Sequence, residues 1–268
     1  MPSSRKTPVL AVMPLMAAVF LFLAATPVSA EIPAIAVRQQ TEKKDFTDAE
    51  IVDGFMKTAF GAEYHLAGRV DRIRKFDKPV RVFVAGPARA DRLKQLARVT
   101  ADIGHHVPNL DIALTSRRDD ANVIVTLVKD RDLDKAIRKF YGVDTAKNIR
   151  RSLDPQCLSG FRKNDKYEIE HAEVILAIDA GDFVFLDCAY EELLQSLGPI
   201  NDTDSVPWTM FNDDVSMGFF DIYDQFILNI LYDPRIKAGM TVDEVRAMLP
   251  AVVGDVRAQI AKINDLKP

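Results

Sequence analysis

Between Glu191 and Asn201 the chain reads EELLQSLGPIN, a stretch whose residue types and spacing could do chemistry. On a helix, residues four apart share a face, so Glu191 and Gln195 point the same way, with Glu192 beside them. Gly198-Pro199 marks the boundary at which that helix ends, just before Asn201. Glu191, Gln195, Asn201, Asp202 and Asp204 are all oxygen donors, a set suited to calcium or another hard divalent cation. Zinc prefers imidazole, thiolate or carboxylate, and one carboxylate with two amides is a poor zinc set, so no zinc and no resident cofactor is expected. Glu192 could act as an acid or base if buried, but without a metal it has no polarised water to deprotonate. Read by itself, the same helix is ordinary. Glu191 and Gln195 would form a solvated face, Ala189, Leu193, Leu194 and Leu197 would face the core, and NDTDS from Asn201 to Ser205 would be an Asx-turn loop.

Other chemistry is less well supported. His105 and His106 sit where a helix should end, a position that suits histidine against the helix dipole, and local spacing does not bring His65 and His171 together. Ser196 lacks the strand-turn-helix elbow of an activated serine, and no Gly-rich phosphate loop follows a strand.

The elements that must position these residues begin after a leader. Arg5 and Lys6 precede an apolar run from Val9 to about Ala25, closed by Val28-Ser29-Ala30, which reads as a signal peptide over residues 1–30. A retained membrane anchor is the alternative; cleavage would leave no anchor. Loss of the leader takes the formal charge from −4 to −6. No long basic face follows, which argues against nucleic acid as a partner. Cys157 and Cys188 are the only cysteines. In an exported chain an even pair reads as one disulfide, with two buried free thiols as the alternative.

Residues 31–46 mix charge, Gln and Pro without a period and read as an extended linker, with a single domain over 47–268. Thr47-Asp48-Ala49-Glu50 fits a capping box for a helix ending near Gly61. Strand patterns follow over Arg69 to Ala85, Asn109 to Ser116, Ala121 to Val128, Gly160 to Arg162 and Ala172 to Ile178. Helical spacing separates them over Ala88 to Ile103, Arg131 to Tyr141 and near Ala146 to Leu153, and returns over Asp187 to Leu197, Phe219 to Leu231 and Val242 to Ile263. The expectation is α+β: a mixed sheet part over about 69–198 that carries the site helix 187–197, then a smaller, loop-rich helical part over 199–268.

Laid over the frame His-Glu-x-x-His-x-x-Gly-x-x-His, Glu191, Gln195 and Asn201 replace the three histidines while Glu192 and Gly198 keep their places. Here the sequence resembles the metzincin peptidases. Pro207-Trp208-Thr209-Met210-Phe211 looks like their Met-turn, with Met210 in the methionine's place. Phe219 to Asp224 followed by Ile230-Leu231-Tyr232 resembles their last helix. More closely, the Cys before the helix, Gln-Ser-Leu-Gly, Asn201-Asp202, Phe211-Asn212-Asp213 and Leu231 to Arg235 resemble the exported bacterial family labelled domain of unknown function 2927. The resemblance implies a zincin-like fold without its zinc ligands. It also implies a non-catalytic binding or structural protein of the cell envelope, periplasmic in a Gram-negative source, with a peptide or envelope protein as partner. The alternative it leaves open is a hydrolase that uses Glu192 with a different metal.

Overall fold

Thr47 starts a helix by reciprocal capping. Its hydroxyl accepts the Glu50 N–H at 3.2 Å while the Glu50 carboxylate accepts the Thr47 N–H at 2.8 Å, and helix α2, Asp48–Ala59, follows. The computed structural model describes residues 32–61, 71–87, 89–152 and 156–266, so the signal peptide reading and His65 lie outside the described residues. Ahead of α2, where an extended linker is expected, stands helix α1, Pro33–Thr41. Pro33 presets the first helical turn, and the docking of the segment supplies what its weak periodicity does not. Ile35 is buried, Arg38 lies over the Phe183 ring at 4.5 Å, and Arg38 Nε donates to the Ser216 carbonyl at 2.6 Å.

Five strands form one sheet in the order β2-β1-β3-β5-β4: β1 Val80–Ala85, β2 Ile112–Leu114, β3 Val123–Val128, β4 Cys157–Lys163 and β5 Ile169–Ala177. All pairs are parallel except β4 with β5, so the fold is mixed α+β with a mostly parallel sheet and an antiparallel edge. The VIVTLV run of β3 is central, as its β-branched composition requires of a strand covered on both faces. Helices α3, Ala90–His106, α4, Leu133–Tyr141, and α5, Val143–Ser152, interleave with the strands. The strand expected over Arg69 to Ala85 shrinks to β1. Arg72 and Lys75 make only isolated bridges, and Asp77-Lys78-Pro79 interrupts the alternation.

Helix α6, Asp182–Ser196, follows Gly181 and starts five residues before the expected Asp187, because Arg92 of α3 anchors its first turn. The Arg92 guanidinium donates to Asp182 Oδ1 at 2.7 Å and to the Ile178 carbonyl at 3.0 and 3.1 Å. An irregular stretch then leads to α7, Ile222–Leu231, every residue of which is buried, and to α8, Val242–Ile263, capped by a second reciprocal pair, Thr241 and Glu244. Helices α2, α7 and α8 pack together. The helical part therefore draws on both ends of the chain rather than on 199–268 alone. Among the described residues no helix is long and apolar enough to cross a membrane.

Candidate functional site

Helix α6 lies against β4 and β5, and the disulfide between Cys157 and Cys188 fastens the start of β4 to its middle, with the Cα atoms 5.8 Å apart. On this helix Glu192 is 6% exposed and Gln195 4% exposed, so the solvated face expected for Gln195 is not present. Gln195 turns inward because polar partners wait there. Its Oε1 accepts from Ser159 Oγ of β4 at 3.3 Å, and its Nε2 donates to Asp202 Oδ1. Glu191 is half-buried, and Ser196 is buried with its hydroxyl donating to the Leu193 carbonyl at 2.6 Å.

A buried amide tied at both ends behaves unlike a surface one. Gln195→Ala should cost about 2 kcal/mol, since it removes a buried amide and its hydrogen bonds to Ser159 and Asp202, whereas a solvated glutamine would change stability by less than about 0.5 kcal/mol. Urea unfolding of the two proteins checks this.

Helix α6 ends at the Gly198 turn. Gly198 has φ of 141°, and a Cβ there would lie 2.3 Å from the Arg74 carbonyl oxygen and 2.9 Å from Leu231 Cδ2. Past the turn, Asn201 faces the C-terminal end of α2: its Nδ2 donates to the Lys57 carbonyl at 2.8 Å and its backbone N–H to that of Thr58 at 3.3 Å. Arg74 serves the same helix end, donating from Nη2 to the carbonyls of Ala59 at 3.1 Å and Gly61 at 2.6 Å. Its burial lowers the guanidinium pKa to about 10. The Leu231-Tyr232 pair closes this corner, with Tyr232 Oη donating to the Leu197 carbonyl at 2.9 Å. Gln195, Gly198 and Asn201 are thus brought into one polar junction with Ser159, Asp202 and Arg74, and Glu192 is buried about one turn before Gln195 on α6. Asp204 stays exposed.

Met210 is buried in the turn after Trp208, and Asp224 of α7 holds that turn. The Asp224 carboxylate accepts from Thr209 Oγ1 at 2.5 Å and from the Met210 N–H at 2.8 Å. One turn earlier Asp221 caps α7, its Oδ1 accepting the Tyr223 and Asp224 N–H groups at 2.8 and 3.1 Å. Burial, and then the charge of Asp224, push the Asp221 carboxyl well above the usual carboxylate range; burial also raises Asp224. The folded pair therefore holds a proton that the unfolded chain releases near pH 4. Its contribution to stability is full below that pH and is lost as pH rises through the raised value. Asp221→Asn keeps the cap and replaces the protonated acid, so it should be more stable than the parent at pH 8 and flatten the decline, as read from thermal unfolding across pH.

The donor set at this junction does not fit zinc. The three positions offer one carboxylate and two amides; Gln195 is engaged at both ends, and the Asn201 amide donates to α2. Among the described residues no three or more His, Cys, Asp or Glu side chains gather closely enough to hold a metal ion. His171 is held by Glu173 at 2.8 Å on β5, and His105 and His106 occupy the last turn of α3.

Sequence reasoning found the helix, the glycine turn and Met210. It missed Ser159, Arg74 and the supporting role of Asp224. Of these only Asp224 carried a signal, as part of the acidic start of an apolar helix. A family model described as "Protein of unknown function (DUF2927)" matches residues 48–251. No curated protein and no solved structure matches.

Proposed function

The chain belongs to the family of proteins of unknown function designated DUF2927, and from that premise we propose that it is an exported, non-catalytic, zincin-like domain of the cell envelope. Its old peptidase frame serves to bind a peptide or envelope protein, or as structure. One observation carries the reading. Two of the three positions that would present zinc ligands are built into the fold instead: Gln195 bridges β4 to the loop after α6, and Asn201 caps α2.

The surroundings support the same reading. A five-stranded mixed sheet stands beside the site helix, the glycine turn packs under the Leu231-Tyr232 pair, and a buried methionine turn hangs from α7. Export is supported by the basic start, apolar run and small-residue close of residues 1–30, together with the Cys157–Cys188 disulfide. In a Gram-negative source the location would be the periplasm.

The test is incubation with a diverse peptide library read by mass spectrometry, beside Glu192→Gln. The proposal expects no cleavage by either protein. Reproducible cleavage lost in Glu192→Gln would instead establish a hydrolase that uses Glu192.

A further inference from the structure

A groove of about 750 Å³ lies where the C-terminal turn of α3 meets the segment after α1 and the start of α7. That volume falls within the range of small-molecule sites, and none of Glu192, Gln195 or Asn201 lines it. Its two carboxylates are engaged by the walls. Asp102 accepts from Tyr190 Oη at 2.9 Å and lies 3.1 Å from His106 Nδ1, while Glu42 accepts the Ile222 N–H at 3.4 Å and lies 3.7 Å from Lys44 Nζ.

The cations are less committed. Arg98 is exposed and makes no ion pair or hydrogen bond among the described residues, and His105 is exposed beside it on the same helix face, two turns on. With Nδ1 held by Asp102, His106 keeps Nε2 as its remaining polar edge. Phe219 and Phe220 supply an apolar wall, with the Phe220 ring edge-on to His106 at 6.0 Å.

We infer that this groove binds a small organic anion, a carboxylate or phosphate monoester whose aromatic or aliphatic body packs against Phe219 and Phe220. The Arg98 guanidinium presents a planar donor fork matched to either headgroup, Lys44 adds positive charge at the rim, and His105 offers its ring nitrogens for hydrogen bonding. Lys44 and Asn264 line the groove but lie outside residues 48–251, so the site is completed by parts of this chain beyond the matched region. The inference does not rest on the zincin-like reading.

The purified protein is titrated separately with benzoate, phenyl phosphate and neutral benzyl alcohol while the histidine ring protons are followed by NMR. His105→Gln and His106→Gln assign the signals. Saturable shifts of the His105 and His106 signals with benzoate, with phenyl phosphate or with both support the site, and the stronger of the two names the headgroup. Arg98→Glu, a surface change, should weaken that binding about tenfold or more. The inference is overturned if neither anion gives a saturable shift, if benzyl alcohol binds as well as the anions, or if Arg98→Glu leaves affinity unchanged.

Discussion

Gly198→Ala is expected to lose about 4 kcal/mol of stability, the sum of a backbone strain of about 1–3 kcal/mol and an overpacking cost of similar size. Both terms act at once. The φ of 141° is unfavourable for any residue with a Cβ, and the added carbon would meet the Arg74 carbonyl, which is backbone and cannot swing aside. Gly142 supplies the control: its φ is 80°, yet nothing lies within 4 Å of an added Cβ, so Gly142→Ala should show the strain alone, about 1–2 kcal/mol. Equal losses in the two variants, measured by urea unfolding, would show that the close approach of Arg74 to the turn is wrong.

Removal of the disulfide should have an effect of similar size. Cys157 and Cys188 are 31 residues apart, and opening that loop in the Cys157→Ser, Cys188→Ser double variant costs about 3 to 4 kcal/mol on the chain-entropy account, or on the order of 10 °C in unfolding midpoint. The bridge joins β4 to α6, the two elements that Ser159 and Gln195 also join. The effects of the double variant and of Gln195→Ala should therefore be non-additive when combined. Strict additivity would mean that the bridge and the amide hold different parts of the fold.

Local rules made much of this fold legible. The Thr47 and Glu50 box starts α2, the β-branched run of Val123–Val128 makes the central strand, and the pattern over Val242–Ile263 gives the last helix with its limits. Each of these signals sits within a few residues of the element it specifies. The failures share the opposite property. Helix α1 exists because Ile35 is buried and Arg38 docks on residues far along the chain, the Phe183 ring and the Ser216 carbonyl.

The same distance separates the site residues from what explains them. Gln195 reads as a solvated helix position because its partner on β4 is 36 residues away. Arg74 and Lys75 fall within the strand pattern expected over Arg69 to Ala85, and both are buried and donate to carbonyls: Arg74 to those at the end of α2, Lys75 to those of Leu231 and Ile236. Buried polar groups are satisfied by tertiary partners, and a period in one segment carries no record of them. Glu192, Gly198 and Met210 stood out in the sequence only through their spacing, and spacing by itself specifies no chemistry.

The central claim is that the replaced ligand positions now hold the fold together instead of a catalytic metal. Elemental analysis of protein purified without a metal-affinity tag tests it most directly, with Glu191→Ala and Gln195→Ala beside the parent. The account predicts no metal near one equivalent in any of the three, and a loss of stability in Gln195→Ala. Near-stoichiometric metal in the parent that disappears from both variants would contradict it and would name the ion with which to look for hydrolysis.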